Sequence, residues 1–407
     1  MNTNNTFNRR RFLQTASASA AGMMIVSPQT AFGAAANSKL RLGIIGCGGR
    51  GIWIGRLFEE FTNTKVVAVA DYFRDRVDMA GEQLDIAPDR RYVGLDGYKE
   101  LLAGDDVDAV AVESPPYFHP IHTVAALEAG KHVFLAKPIA VDVPGCKAIM
   151  AAAKKAEGTL TTLVDFQTRN NELFREAAQR IRDGAIGEPT LGQVFYYASR
   201  LSIRTEPGTE VARLRNWMFD IALSGDIIVE QNIHVLDVAN WFIDAHPISA
   251  RGTGGRKVRV DVGDCWDHFV VTYKYPNDTL VDFSSAQFTT GFDDLCTRIC
   301  GSLGTVDAHY GGIVQIHSKD QGTWIGGETK GIYQDGAVNN MKDFCAGIAA
   351  GQFTNNADES ARSTMTSILG RQAAYEQREV TWDEMVAANV ALDPHLDLPE
   401  NGPETTV

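Results

Sequence analysis

Six residues near the start of the chain, Gly46-Cys47-Gly48-Gly49-Arg50-Gly51, restrict its fold more than any other feature. They follow the apolar run Leu40 to Gly46 and precede the helix-like stretch Ile52 to Phe61, so a glycine–x–glycine–x–x–glycine spacing falls on a strand-to-helix turn. There the first glycine allows the tight turn, the second lets backbone approach a pyrophosphate, and the third lets helix and strand pack closely. The helix N-terminus adds amide donors for phosphate oxygens. Asp71 stands twenty residues after Gly51, at the end of the next apolar run. A carboxylate at that point accepts hydrogen bonds from ribose hydroxyls and repels a 2′-phosphate, which favours NAD over NADP; Arg74 and Arg76 are the residues that would offset the repulsion.

The same strand–helix rhythm continues. Apolar runs at Leu40 to Gly46, Val66 to Asp71, Val107 to Glu113, His132 to Ala136 and Leu160 to Phe166 read as strands buried on both faces. Ile52 to Phe61, Pro120 to Ala129 and Gly145 to Glu157 place apolar residues at three-and-four spacing and read as crossover helices. Residues 37–166 are therefore expected to form a Rossmann-type, doubly wound parallel sheet. The texture then changes. A helix is expected from Glu172 to Asp183, stopped by Gly184, and Val258 to Ile316 is strand-rich, with turns at Pro276-Asn277-Asp278 and Gly301-Ser302-Leu303-Gly304. Val338 to Gln377 reads as helical, and the polar tail after Pro394 is expected to be held by contacts rather than core. Residues 167–407 thus read as an α+β domain with a large, mostly antiparallel open sheet, one face of it polar. A sheet of this breadth is usually covered, either by helices or by a second copy of itself, and the second case gives the expected homo-oligomer, dimer or tetramer.

Charge narrows the partners. Lys and Arg number 38 against 51 Asp and Glu, a net of −13, so nucleic acid and anionic lipid are poor candidates and a small molecule is the expected partner. The six cysteines (47, 146, 265, 296, 300 and 345) show neither a CxxC pair nor zinc-type spacing, and no further ligand follows His119 and His122 at a useful distance, so neither a disulfide framework nor a metal is expected. At the N-terminus, Asn8-Arg9-Arg10-Arg11-Phe12-Leu13-Gln14 opens a weakly apolar stretch to Val26, followed by small residues from Gly33 to Ala36. This is the layout of a twin-arginine signal peptide spanning residues 1–36. The stretch is rich in Ala and Ser and falls short of the roughly 20 apolar residues that cross a bilayer. The expectation is cleavage between Gly33 and Asn37, a periplasmic protein, and no lasting membrane insertion. Twin-arginine export carries folded proteins, which suits an enzyme that takes up its cofactor before leaving the cytoplasm.

Three further segments carry a family resemblance: Ser114-Pro115-Pro116-Tyr117-Phe118-His119, Ala125 to Val133, and Ala136-Lys137-Pro138. Together they resemble the central segment of the glucose-fructose oxidoreductase and inositol dehydrogenase family (Gfo/Idh/MocA), closely over Leu40 to Phe166 and more loosely to the end. The resemblance implies a sugar or polyol oxidoreductase in which Lys137 lies beside the nicotinamide, with Ser114, Pro115 and His119 near the cofactor; a packing role for His119 is an equal alternative. It also implies that one helix of the second domain supplies an acid and a histidine, here Glu230 and His234. Two departures stand out. Ala136 replaces the family's usual glutamate, and Glu230 replaces its usual aspartate.

The chemistry asks for the same groups. Oxidising a secondary alcohol needs a base for the hydroxyl proton, a cation for the developing alkoxide and a hydride acceptor. His234 fits the base, Lys137 the cation, and Glu230 at i−4 is placed to orient the imidazole, with Asp237 and Trp241 continuing the stripe. Gln167, Arg169, Asn170, Arg215, Asn216 and Trp217 are candidate substrate contacts, each with interdomain bracing as the alternative. Three functions compete: oxidation of a sugar, polyol or glycoside by firmly held NAD; a glycoside lyase or hydrolase working through a transient keto-sugar with NAD recycled; and non-enzymatic sensing. The presence of Lys137, Glu230 and His234 together disfavours the last.

Overall fold

Six parallel strands, β1 (Leu40–Ile45), β2 (Thr64–Asp71), β3 (Arg91–Val93), β4 (Ala109–Val112), β5 (His132–Ala136) and β6 (Thr162–Asp165), lie in the order β3-β2-β1-β4-β5-β6. The computed structural model describes residues 39–403; the segment read as an export signal lies outside the described residues. β4 is buried at every position and β5 at all but its first, because helices cover both faces of the sheet. On one face the helix Gly49–Phe61 sets Ile52, Leu57 and Phe58 against Leu42, Ile44 and Val66. On the other, the helix Val143–Ala156 packs through Cys146 and Ile149; Asp142 caps it by accepting from Gly145 N at 2.8 Å. The strand order reverses between β1 and β4, which opens a crevice at the carboxyl ends of these strands. β3 and the helices Arg74–Gln83 and Gly97–Leu102 escape a periodicity reading, since each is short or mostly polar.

The second sheet has nine strands: β7 (Pro189–Tyr197), β8 (Ser249–Gly255), β9 (His268–Lys274), β10 (Leu280–Ala286), β11 (Asp294–Gly301), β12 (Gly304–His309), β13 (Ile313–Ser318), β14 (Gly322–Glu328) and β15 (Glu379–Thr381). Their order is β14-β13-β12-β11-β7-β10-β9-β8-β15, with β7 and β10 parallel and every other neighbouring pair antiparallel. Both expected turns join strands: one links β9 to β10, the other β11 to β12. The helix Glu172–Arg182 ends as expected, with Gly184 at φ +86°. The open face is less polar than the sequence suggested. Leu191, Val270, Leu280, Ile313 and Ile325 are exposed, in the sheet that also carries Gln193, Arg298 and Asp307 on β7, β11 and β12.

The helical stretch near the C-terminus is two helices, Ile332–Ala350 and Ala357–Glu376, because Gly351 turns the chain at φ +65°. The first returns to the parallel sheet, where the Phe344 ring lies 6.1 Å from that of Phe58 and 5.7 Å from that of Phe134. The second is buried despite its polarity. Ser360, Thr364 and Thr366 donate back to the carbonyls of Asn356, Ser360 and Arg362, so their hydroxyls need no outside partner.

This helix crosses β9 at Gly370, where an added Cβ would sit 1.9 Å from the Tyr273 hydroxyl, itself fully buried. Gly370→Ala should destabilise the protein by about 1–3 kcal/mol through overpacking. Urea unfolding should show a lower midpoint at unchanged slope; an unchanged midpoint would mean that Tyr273 has room to move.

Candidate functional site

A cleft of about 330 Å³ lies over the crevice between β1 and β4. Gly46, Gly48, Gly49 and Arg50 form part of its lining, and their geometry explains the glycines. Gly46 takes φ +101°, where a Cβ would strike the backbone of Glu113 and Ser114. A Cβ on Gly51 would sit 1.9 Å from the Gly46 carbonyl oxygen, so the helix can approach β1 only with glycine there. Over Gly48 and Gly49 a Cβ would meet nothing within 4 Å, and no side chain caps the helix that follows. An open backbone surface with uncapped helix amides fits a pyrophosphate. Asp71 completes the fit: its carboxylate lines the cleft, fixed by accepting from Cys47 N at 2.7 Å and Phe73 N at 2.9 Å. The donor set therefore suits NAD, with Arg76 in the same wall.

The far wall comes from distant sequence. Leu95, Tyr98, Ser114 and Pro115 line one side, and Arg204, Leu214, Arg215 and Trp217 the other. Arg215 is taken up by Asp75 at 2.8 Å and stacks 4.0 Å above the Phe73 ring, which makes it a brace for the Asp71 side of the cleft. Asn216 accepts from Arg204 N at 2.8 Å and so holds the loop that brings Arg204 to the rim. The tail after Pro394 reinforces this end: Glu400 O accepts from Leu95 N at 2.8 Å, while Leu396 and Leu398 pack on the cluster of Tyr72, Phe73 and Leu214.

At the opposite end Arg50 bridges two buried acids, lying 3.0 Å from Glu113 Oε2 and also paired with Asp165, and it donates to Tyr333 Oη at 3.1 Å. Asp165 pairs in register with Ala136, and Glu113 follows Val112, the partner of Leu135, so the two acids flank Ala136 on the neighbouring strands. This accounts for the alanine before Lys137. A third carboxylate beside a single guanidinium would be buried without a partner. Neither Glu113 nor Asp165 stood out in the sequence, because only strand register brings them together.

Lys137 follows directly after β5. Its ammonium donates to Glu230 Oε1 at 3.0 Å and to the Glu230 carbonyl at 2.5 Å. The expected Glu230–His234 helix does not form as one piece, and this corrects the reading of Glu230 as the group that orients His234. Glu230 ends a short helix, Ile227–Glu230, which buried Asp226 starts by accepting from Ile227 N at 2.6 Å; a new helix, Ile233–Ile243, carries His234. The break turns Glu230 toward Lys137, and the extra methylene of glutamate serves that reach. His234 is buried with its Nδ1 unpartnered and its ring centroid 5.6 Å from that of Tyr310. Burial, then the charges of Lys137 and Arg50, hold its pKa well below the ordinary 6.5.

The remaining candidates fall into place around this centre. Gln167 accepts from Tyr310 Oη at 3.1 Å and so reaches the site through that tyrosine. Arg169 is taken up by Asp237, with two contacts of 2.8 Å, and by Glu359, and lies over Trp241. Asn170 bonds Asn340 and Asp343. Both are braces. His119 is wedged between the carbonyls of Ser114 and Pro138 at 2.7 Å each, and burial pushes its pKa down to about 4. It ties the Ser114 loop to the turn after Lys137. His122 bonds Ser114 Oγ at 2.9 Å, so the two histidines do not converge on a metal.

Comparison with known proteins agrees with this geometry. Residues 40–163 match the model of an oxidoreductase family with an NAD-binding Rossmann fold, and residues 174–307 match the GFO/IDH/MocA C-terminal domain, together well over half of the chain. Inositol 2-dehydrogenase of Pseudomonas savastanoi pv. phaseolicola is 28% identical over 284 residues, 69% of this chain and 77% of its own. Aldose-aldose oxidoreductase from Caulobacter crescentus, complexed with glycerol, has a similar fold, with a TM-score of 0.70 at 21% identity over 84% of this chain and 99% of its own. Levoglucosan dehydrogenase in complex with NADH also has a TM-score of 0.70, at 18% identity and the same coverage.

Glu113 yields a prediction. Burial, opposed by Arg50 and reinforced by Asp165, raises its pKa from the ordinary 4.5 to about 7. The folded protein then holds this proton more tightly than the unfolded chain does. Its contribution favours folding most below pH 4.5 and falls away as pH rises to about 7, a span on the order of 3 kcal/mol. Glu113→Gln should flatten that decline in the thermal midpoints of cofactor-free protein. Identical pH dependence in variant and wild type would show that Glu113 titrates normally.

Proposed function

The chain belongs to the Gfo/Idh/MocA oxidoreductase family and is an NAD-dependent enzyme, and on that premise we propose that it oxidises a secondary hydroxyl of a sugar, polyol or glycoside. The observation that carries this reading is the buried His234 ring within electrostatic reach of Lys137. A substrate hydroxyl satisfies both groups at once. The relatives named for inositol, aldose and levoglucosan support the substrate class, since each name denotes a molecule rich in secondary alcohols.

NAD, when bound along the glycine loop and Asp71, supplies the hydride acceptor. Burial and the neighbouring cations keep His234 neutral, so its imidazole can take the hydroxyl proton. Lys137 has three donors. Two are fixed by Glu230, and the third serves the substrate oxygen and stabilises negative charge as it develops there. Glu230 thus acts as a positioning residue for the lysine. Arg50, Glu113 and Asp165 hold the loop that follows β1 against the ends of β4 and β6, which keeps this end of the cleft fixed.

His234→Ala and Lys137→Ala should each lower turnover by about two to four orders of magnitude, while bound NAD, identified by mass spectrometry, is retained. The acidic limb of kcat/KM should lie below pH 6.5, because protonation of His234 removes the base and its pKa lies below that value. Near-normal turnover of His234→Ala would overturn the assignment. Keto-sugar formed in step with reduced cofactor supports oxidation; glycoside cleavage without net reduction of cofactor would replace it with an elimination chemistry.

We also propose export through the twin-arginine route and association through the open face of the second sheet. Exposed Leu191, Val270 and Leu280 on that face support the association. Changing Arg9 and Arg10 together to lysine should strand active protein in the cytoplasm, and unchanged periplasmic activity would refute the signal.

A further inference from the structure

On the open face of the second sheet, outside the cleft, three side chains meet that no spacing motif connects. β11 and β12 pair with Cys296 opposite His309, and Asp307 precedes His309 by two residues, so all three share one face. Cys296 Sγ lies 3.4 Å from Asp307 Oδ1, His309 Nε2 lies 3.5 Å from the same oxygen, and the three atoms fall within 4.8 Å of one another. Ligands on a tetrahedral zinc, with sulfur at about 2.3 Å and nitrogen or oxygen at about 2.0 Å, are themselves roughly 3.3–3.5 Å apart. Two edges of such a tetrahedron are already present.

The surroundings complete the pattern. Asp294 Oδ1 accepts from His309 Nδ1 at 2.8 Å, which places a proton on that nitrogen and turns Nε2 toward the sulfur and the carboxylate. A carboxylate behind a histidine is the usual outer support of a metal ligand. Arg298 Nε donates to Asp307 Oδ1 at 2.9 Å and Gln315 Nε2 to Oδ2 at 3.3 Å, so the acid is anchored too. Two carboxylates and a thiolate balance Arg298 and one divalent ion. A Cys–His–Asp arrangement also suggests a nucleophile, but Cys296 is 0% exposed and no substrate can reach its thiol. A bare ion can, from the side of His309 and Asp307, whose side chains are 24% and 16% exposed.

We propose that Cys296, Asp307 and His309 bind a divalent transition metal of the zinc class, with a fourth position open to water. Mixed sulfur, nitrogen and oxygen ligands suit zinc and its spectroscopic substitute cobalt rather than magnesium or calcium. On binding, the Cys296 thiol and His309 Nε2, which sits beside the Asp307 carboxylate in the ion-free site, each release a proton to solvent. The ion would clamp β11 to β12 just before Tyr310, the residue whose ring faces His234.

The test is titration of chelator-treated full-length protein with cobalt(II). One equivalent per chain should bind with a thiolate-to-cobalt charge-transfer band, and zinc should bleach it. Cys296→Ser should abolish the band, and His309→Ala should weaken binding at least tenfold. Asp294→Asn, outside the ligand set, should keep the band and lower affinity by about 10–100-fold. Cys300→Ser, on the same strand, should change nothing. Metal-free thermal unfolding checks that each variant is folded. Absence of a band in wild-type protein with excess cobalt overturns the proposal, and so does a band that survives Cys296→Ser.

Discussion

A single guanidinium fastens the carboxyl edge of the parallel sheet. Arg50 comes from the first turn of the helix after β1, Glu113 from the end of β4 and Asp165 from the end of β6, and Tyr333 belongs to the helix that returns from the second half of the chain. Four segments distant in sequence are joined at one side chain. Asn340 of the returning helix also donates to Asp165 at 2.7 Å, so that helix is tied twice to the same corner. Burying three charges is costly and is tolerated only when each is paired. With two acids and one base the pairing is incomplete, and it is completed by Glu113 holding its proton up to about pH 7. The position of the glycine loop, and with it the cofactor surface, depends on this corner.

The chemical centre is organised by a different device, a break in a helix. Had Glu230 and His234 shared one continuous helix, acid and imidazole would face the same way. The interruption at Gln231 and Asn232 gives Glu230 to Lys137 and leaves His234 without a carboxylate. Acid and base are thereby separated electrically. The lysine keeps its counter-ion, while the imidazole sees only cations and stays neutral.

What could be read from the sequence follows from how local each signal is. The glycine loop, Asp71, five of the six parallel strands and the turn at Gly184 are written in consecutive residues, where periodicity and backbone chemistry act directly. Lys137 was legible through the family resemblance of Ala136-Lys137-Pro138 and because it follows a strand of the parallel sheet. The Arg50–Glu113–Asp165 corner was not, since it exists only through the register of β4, β5 and β6. The same holds for Cys296 and His309, which are thirteen positions apart in sequence but opposite each other across two strands. Arg169 and Arg215 looked like substrate contacts by residue type, and the structure gives their charges to Asp237 and Asp75. The helix Ala357–Glu376 hides its burial behind serines and threonines that bond to their own backbone.

The tail that packs on Tyr72 and bonds Leu95 carries a consequence for the order in which the protein matures. The cleft wall at the Asp71 end includes residues near position 95 and is backed by residues near position 400, which leave the ribosome far apart in time. The glycine loop and its sheet are synthesised early, but the enclosure on that side closes only after almost all of the chain has been made. Full support for the wall beside Asp71 is therefore in place only late in synthesis, long after the phosphate-binding loop has been made.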